Sequence, residues 1–461
     1  MTAKDGFQIA HDPALEDDLP EGWVVAPLGD VATLQRGFDL PEHQRQPGNV
    51  TVWAANGPVG KHNIARVDGP GVITGRSGTI GKVHFTERDF WPLNTALYVK
   101  DFHGSDPKFI ALLLRNFGLE KYHAGTGVPT LNRNVVHEMP VAVPPLAEQV
   151  RIVAKVESLD SCLVSANNHL AKARKNLTTF RQSVLAMACS GSLTEDWRQQ
   201  NANIPDASDI IAALQNHRER DAKSAAEREK IRKAYEECEE GDSGDLPDSW
   251  AWCSLRKLCA SFDYGTSSKS NPTGKVPVLR MGNVQNGEID WGNLVFTSDS
   301  DEIRRYALKP NTVLFNRTNS PELVGKTAIY RGERPAIFAG YLIRIANLPE
   351  LHSEYLNICL NAPRAREFCA TTKTDGVSQS NINAQKLGSF EVPFCSLEEQ
   401  LEIVRRAGAL LAFASEVERG VKAATIRAEF LTRSILAKAF RGELVPTEAE
   451  LARKERRGYE P

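Results

Sequence analysis

From Ile152 to Met187 apolar side chains recur at alternating steps of four and three: Ile152, Val156, Leu159, Leu163, Ala166, Leu170, Ala173, Leu177, Phe180, Val184 and Met187. Such steps place all of them on one stripe of an α-helix, the seam of a coiled coil. The stripe returns as Ile403, Ala407, Leu410, Ala414, Val417, Val421, Ala424, Ala428, Leu431 and Ile435, each 251 positions after its counterpart, within stretches Leu146–Gly191 and Leu397–Gly442 that align without a gap. The first helix starts directly after Pro145. The second follows Ser396, which stands three residues before Glu399, the spacing of a capping box. Both stop at a glycine, Gly191 or Gly442, where the left-handed conformation ends a helix. Each helix is expected to run roughly 43 residues, about 65 Å.

Two matching stripes in one chain offer each other a partner, so the helices are expected to pair. Parallel pairing would oblige the intervening chain to travel back about 65 Å. Antiparallel pairing removes that journey and relates the halves by a pseudo-two-fold axis. Alanines in the seam (Ala166, Ala173, Ala414, Ala424, Ala428) would let the helices approach closely.

The globular segments repeat as well. Leu19-Pro20-Glu21-Gly22-Trp23 opens the first and Leu246-Pro247-Asp248-Ser249-Trp250 the second, now offset by 227, so the second segment is about two dozen residues longer. In the first, Val50–Trp53, Gly71–Thr74, Ile80–Phe85 and Ala96–Val99 are short apolar runs broken by glycine and proline, which predicts strands. One helix is predicted over Pro107–Tyr122, with Phe109, Leu112, Leu113 and Phe117 on its buried face. The segment closes with the loop Gly125–Asn132 and a strand ending at Pro145; the second closes with Asp375–Asn381 and Phe390–Pro393, and Asn132 and Asn381 are read as matching positions. The expected fold is α+β: two mixed or antiparallel-sheet domains separated by an antiparallel coiled coil, in a pseudo-two-fold repeat. Its parts are a tail 1–18, a first domain 19–145, a helix 146–191, a charged segment 192–245, a second domain 246–395, a helix 396–442 and a tail 443–461. The charged segment, with Glu227–Lys233 at its densest, reads as a solvated helix and flexible linker.

Composition narrows the function. No apolar run approaches a membrane span, and Met1–Asp18 lacks the apolar region of a secretory signal, so the chain is expected in the cytosol. The eight cysteines form no CxxC pair and no cluster with metal-ligand spacing, so no metal is expected. A net charge of -2 does not advertise a nucleic-acid binder, although acidic stretches such as Glu236–Asp245 can mask a basic face.

No catalytic constellation stands out. Gly325-Lys326-Thr327 lacks the glycine that a phosphate loop needs five residues earlier, where Ser320 stands, and it falls where the first half has Gly75–Val83, a repeated strand and turn. There is no GxSxG elbow or HExxH, and the histidines are scattered. Asn271-Pro272 and Asn361-Ala362-Pro363 lack the Asn-Pro-Pro-aromatic run of amino-methyltransferases. The chain is expected to catalyse nothing.

Leu146-Ala147-Glu148-Gln149 with Ser183–Ala188, and Leu397-Glu398-Glu399-Gln400 with Ser434–Ala439, together with the Leu-Pro-x-x-Trp openings, resemble the specificity subunit of type I restriction-modification systems over nearly the whole chain. The resemblance implies a non-catalytic reader of double-stranded DNA whose two target recognition domains each read half of a bipartite site. It further implies paired helices that hold the gap and dock two methyltransferase (modification) subunits, and through them the restriction motor-nuclease subunits. S-adenosylmethionine, ATP and magnesium would belong to those partners, with no cofactor in this chain. Ala55–Gly60 in the first domain and Gly265–Ser270 in the second differ, which implies an asymmetric target.

Base edges are read by forked donors and acceptors on loops, and phosphates by cations. The candidates are Arg36, Arg76, Ser77, Asn94, Thr130 and Asn132, with Lys61 and Lys82 on phosphate, and in the second domain Ser267, Lys269, Arg317, Asn319, Gln379 and Asn381. The spacer and partner surface is assigned to Gln149, Ile152, Leu159, Leu163, Leu170 and Leu177, and to Gln400, Ile403, Leu410, Val417, Val421 and Leu431. Trp23, Trp53, Trp91, Trp250 and Trp291 are assigned to core packing. Two other classes stay open: a stand-alone enzyme acting on DNA, and a coiled-coil adaptor whose domains bind protein. Inserting helical residues between Ala166 and Ala173 should change the gap between half-sites and leave the half-sites unchanged.

Overall fold

Alternating apolar residues fold each globular segment onto the same four-stranded frame. The computed structural model describes residues 19–124, 129–201, 203–236, 246–376 and 379–459. The tail 1–18, loop positions 125–128, Cys238 with the rest of 237–245, and residues 377–378 lie outside the described residues.

In the first segment β1 (Thr33–Arg36), β2 (Gly71–Gly75), β3 (Val83–Thr86) and β4 (Ala96–Asp101) stand in the order β1-β4-β2-β3, every neighbour antiparallel. The period of two divides them: Leu34, Val72, Leu97 and Val99 pack with Phe109, Ile110, Leu113 and Leu114 of the helix Pro107–Phe117. Ile73, Ala96 and Tyr98 join Phe90 on the opposite face, where a small sheet of Val50–Ala54, Gly57–His62 and Phe90–Pro92 lies. The predicted helix breaks at Gly118, whose φ of 74° ends it, and continues as a short 3-10 turn to Tyr122.

The second segment repeats this with β5 (Cys259–Tyr264), β6 (Thr312–Asn316), β7 (Thr327–Tyr330) and β8 (Leu342–Asn347) in the order β5-β8-β6-β7. Val313, Phe315, Ile329, Ile343 and Ile345 share a core with the helix Ser353–Asn361, while Leu314, Ala328, Tyr330 and Leu342 share another with Leu279 and Phe338. The small sheet also returns, as Val276–Leu279, Val295–Thr297 and Ile337–Phe338. Its extra length has a visible place. Where the first segment turns from Ala54 to Gly57, the second interposes residues 280–294, whose hairpin Val284–Gln285 and Gly287–Ile289 extends the large sheet. Gly325-Lys326-Thr327 is a turn leading into β7, as the failed phosphate-loop pattern implies.

The two heptad helices are α1 (Leu146–Cys189) and α2 (Leu397–Ala439). By its contacts the chain divides into two units, residues 1–171 with 422–461 and residues 172–421. In the first unit, Ile152, Val153 and Val156 near the start of α1 share a core with Ile435, Leu436 and Ala439 at the end of α2. In the second, Val184, Leu185 and Ala188 near the end of α1 share a core with Ile403, Ala407 and Leu410 near the start of α2. Within each unit the segments thus meet start to end, the antiparallel sense that the stripes predict. Arg181 fixes the register in the second unit, its Nη2 reaching Ser415 Oγ at 2.9 Å and Glu418 Oε2 at 3.0 Å.

The stripe drifts, however. Leu159, Leu163, Leu170 and Leu177 are half-buried, as are Leu410 and Val417, and Val421 is buried. Phe180, Met187 and Leu431, read as seam residues, are exposed instead, Leu431 by 51%. Half-buried Arg181 and buried Ala188 take the places of the first two, and buried Ala439 closes the second stripe. A helix of 3.6 residues per turn slides about 20° per heptad against a 3.5 repeat, so a strict four-three count loses the stripe after several heptads.

The charged segment after α1 also needs correction. Its helix Ala207–Asp221 buries Ala207 and Leu214 in the second unit's core, with Ile210 and Ile211 packed beside them. Arg218 donates to the carbonyls of Arg256, Lys257 and Cys259, and Tyr235 Oη donates to that of Lys257 at 2.8 Å. From Ala207 to Tyr235 the segment packs on the second unit's core and carries its charge outward.

Candidate nucleic-acid interface

At one end of each four-stranded frame, four backbone segments converge in the same way. In the first unit Phe38 N–H donates to the Pro92 carbonyl, Arg76 N–H to that of Thr95, and Leu131 N–H to that of Arg76. In the second, Thr266 N–H donates to the Phe338 carbonyl, Arg317 N–H to that of Tyr341, and Ile382 N–H to that of Arg317. A β-carbon on Gly37 would lie 2.3 Å from the Leu93 carbonyl oxygen, and one on Gly265 2.2 Å from that of Phe338, so only glycine lets these strands close. The frame equates Arg76 with Arg317, Ser77 with Thr318, Arg36 with Tyr264 and Thr130 with Asn381.

That equation corrects the match read between Asn132 and Asn381. Asn132 caps the helix Arg133–His137, its side chain accepting from Asn134 N–H at 3.1 Å, and its counterpart is Asn383, which caps Ala384–Gly388 by accepting from Lys386 N–H at 2.8 Å. Both asparagines are engaged as caps, so Asn132 is positioned as a structural residue. Two asparagines lying two positions apart in the second half hid this alignment.

Among the other first-domain candidates, Arg76 Nη1 donates to the Asn94 carbonyl at 3.0 Å, and Ser77 bridges to Thr130. Asn94 Nδ2 donates to Asp39, whose carboxylate also lies 3.7 Å from Arg36 Nη2. The structure therefore brings Arg36, Arg76, Ser77, Asn94 and Thr130 together. Lys82 stands aside, donating to Asn56 Oδ1 at 2.7 Å, and Lys61 is exposed on the Gly57–His62 strand. Trp53 packs against His84 at 5.4 Å between ring centres, and burial first, then Lys82 and Arg115, holds that imidazole below its usual pKa.

In the second domain, Arg317 Nη2 donates to Asn381 Oδ1 at 3.1 Å, and its guanidinium lies 4.6 Å over the ring of Tyr264. Asn381 Nδ2 donates to Thr318 Oγ1 at 2.7 Å, and Asn319 Oδ1 accepts from Ser320 N–H. Ser267, Lys269 and Gln379 are exposed. Ser380 Oγ donates to Asp375, and that bond, then Lys373, keeps the carboxyl below its usual range. Sequence reasoning missed Tyr264 and Tyr341, which are 42% and 47% exposed. An exposed tyrosine at a strand end or in a turn carries no distinguishing pattern in sequence.

The Leu-x-Glu-Gln motif proves to be a clamp. Glu148 accepts from Trp23 Nε1 at 2.9 Å and Glu399 from Trp250 Nε1 at 2.8 Å, so each helix's first turn holds the tryptophan that opens its own domain. Gln149 accepts from Asp106 N–H and donates to the Pro144 carbonyl; Gln400 accepts from His352 N–H and donates to the carbonyls of Glu350 and Cys395. Both glutamines are buried and tie each helix to its own domain, which corrects the assignment of Gln149 and Gln400 to the spacer and partner surface. The capping box at Ser396 is only half formed: Ser396 Oγ accepts from Glu399 N–H at 3.3 Å, but the Glu399 carboxylate turns to Trp250, Thr194 and Arg198. The tryptophans differ too: Trp23 and Trp250 are buried, while Trp53, Trp91 and Trp291 are half-buried.

Among the described residues no group of three or more His, Cys, Asp or Glu is placed to hold a metal, and no helix is long and apolar enough to cross a membrane.

Comparison with known proteins agrees with this internal duplication. The type I restriction modification DNA specificity domain matches twice, at residues 20–173 and 247–424. The EcoKI specificity subunit of Escherichia coli K12 is 26% identical over 92% of this chain and 90% of its own length, and the StySPI specificity subunit of Salmonella potsdam 25% identical over the same shares. A chain solved in work on complex assembly and conformational transition of the type I R-M system superimposes with a TM-score of 0.65 at 18% identity, covering 92% of this chain and 99% of that one. The HsdS subunit from Thermoanaerobacter tengcongensis gives 0.54 at 18% identity, over 92% and 98%. Matched twice across well over half its length, the chain belongs to the type I restriction-modification DNA specificity family.

Proposed function

We propose that this chain reads a bipartite, asymmetric site on double-stranded DNA and recruits two methyltransferase (modification) subunits, and through them the restriction motor-nuclease subunits. Family membership makes it a non-catalytic specificity subunit. The finer reading rests on one observation: two domains share a frame but carry different side chains at matching loop positions, Arg36 against Tyr264, Ser77 against Thr318 and Thr130 against Asn381. Shared geometry suits two copies of one docking mode, and unlike side chains suit two different half-sites. On this reading S-adenosylmethionine, ATP and magnesium serve the partners, and the complex works in the cytosol. The helices present outward apolar residues such as Phe413 and Phe430, 64% and 63% exposed, as the docking surface for the modification subunits.

Mapping methylated adenines in the host with and without this chain tests the proposal. A split motif with unlike halves, lost on deletion, is the expected result; an unchanged methylation pattern would overturn it.

A further inference from the structure

We infer that Arg317 reads a guanine in the half-site of the second domain, with Tyr264 and Asn381 as the residues that position it. The inference rests on the DNA-reading function proposed above and assigns one base to one side chain.

The argument begins with Asn381, an apparent reader of adenine. Adenine offers an acceptor and a donor side by side in the major groove, and an asparagine matches it by using both its amide oxygen and its amide nitrogen. Here Oδ1 accepts from Arg317 and Nδ2 donates to Thr318 Oγ1, so both atoms are engaged inside the protein. What Asn381 does instead is hold a guanidinium.

Arg317 is held from two sides. Asn381 takes Nη2 at 3.1 Å and the Tyr264 ring lies 4.6 Å beneath the guanidinium, while Nε is buried and meets no partner among the described residues. Tyr264 is itself fixed, its Oη accepting from Ala384 N–H at 2.9 Å. Besides buried Nε, the donors left unpaired among the described residues are both hydrogens of Nη1 and the second hydrogen of Nη2. They form a planar fork that can only donate. Of the four bases, only guanine presents two adjacent acceptors, O6 and N7, on its major-groove edge. A phosphate would also accept this fork, but a phosphate contact carries no sequence information, so loss of a base preference and not of affinity alone separates the two.

The matching arginine of the first domain lacks these supports. Arg36 stands where Tyr264 would be, Thr130 where Asn381 would be, and Arg76 Nη1 is drawn onto the Asn94 carbonyl. The held arginine of the second domain is therefore not repeated at Arg76.

The test is selection of random duplex DNA by the full-length chain, alone and in the assembly purified from its host through a tag on the chain. Wild type, Arg317→Ala, Arg317→Lys and Arg76→Ala are compared after their unfolding temperatures have been matched. Wild type should enrich a split motif. Arg317→Ala should lose the preference for guanine at one position of one half, weakening that site by roughly tenfold to a hundredfold while the other half is unchanged. Arg317→Lys should not restore the preference, Arg76→Ala should leave it intact, and 7-deazaguanine, which lacks N7, should reproduce the loss in wild type. Preference retained in Arg317→Ala, relaxation at a base other than guanine, or full rescue by lysine would overturn the assignment and leave the DNA-reading function standing. A wild-type chain that enriches no motif in either preparation would overturn both.

Discussion

Trp23 and Glu148 lie 125 positions apart and meet through one buried hydrogen bond, indole Nε1 to carboxylate oxygen at 2.9 Å. Trp250 and Glu399 repeat it at 2.8 Å. Each domain is thereby fastened at its opening turn to the first turn of its own helix. Replacing either tryptophan by phenylalanine keeps the ring but leaves a buried carboxylate short of a donor. Each change should cost about 1–3 kcal/mol, read as a lowered unfolding midpoint in urea.

Glu148 also makes the first unit sensitive to pH. Burial raises its pKa above the ordinary value of 4.5, against the opposing pull of the Glu448 amide, Trp23 and Arg151. The folded state therefore holds this proton more tightly than the unfolded chain does, so its contribution is present in acid and is lost as pH rises from 4.5 through the raised value. Glu448 acts in the opposite sense below 4.5, because Arg151 and Arg457 depress its pKa. Glu148→Gln should flatten the slope above pH 4.5 in a series of thermal melts, and an unchanged slope would refute the assignment.

Glu399 is fully buried, and Arg198, bonded to it at 2.5 Å, has 15% of its side chain exposed. Arg198→Met would leave the buried carboxylate without its counter-charge, held only by Trp250 and Thr194, and should cost about 3–5 kcal/mol. The exposed pair Arg304 and Asp301, with side chains 82% and 86% accessible, is the control: Arg304→Met should change stability by less than about 1 kcal/mol. Equal effects of the two substitutions on urea unfolding would contradict the burial argument.

The charged segment gives a sharper contrast between sequence and structure. Ala207, Ile210, Ile211 and Leu214 stand at steps of three, one and three, a helical stripe present in the sequence but overshadowed by dense charge around it. The long seam was legible because it persists through many heptads, and the α+β class because short apolar runs end at glycine and proline. The clamp was not legible: the motif was visible, but its partner tryptophan lies far away in sequence and nothing local links the two. The frame pairing Thr130 with Asn381 was hidden for a related reason, since insertions shift the offset between halves from segment to segment and a nearby asparagine supplied a false match.

The same segment yields a direct test. A flexible linker would tolerate Leu214→Ala and would be cut early by trypsin at Arg218. Leu214 is instead 5% exposed in a shared core, and Arg218 is bound to three carbonyls. Leu214→Ala should cost about 2–5 kcal/mol, and Arg218 should resist brief trypsin treatment in the wild type and become cleavable in the variant.

Glycines on α2 and at the helix ends should respond to alanine with opposite signs. Gly442 has φ of 70°, and a β-carbon there would sit 2.3 Å from Pro20 Cγ; Gly191 has φ of 76°, with Pro247 Cγ at 2.5 Å. Each closes one helix and seats the Leu-Pro turn that opens a domain, so alanine meets both a disfavoured backbone and a rigid ring. Gly442→Ala and Gly191→Ala should each destabilise by at least about 1–3 kcal/mol. Gly408 and Gly420 lie inside α2 with nothing within 4 Å of a built β-carbon. There alanine removes the backbone freedom that glycine gives the unfolded chain and meets no obstacle, so Gly408→Ala and Gly420→Ala should each stabilise by about 0.4–1 kcal/mol. Calorimetry of the four single variants decides it: the two end glycines must lower the melting temperature and the two helical ones must raise it.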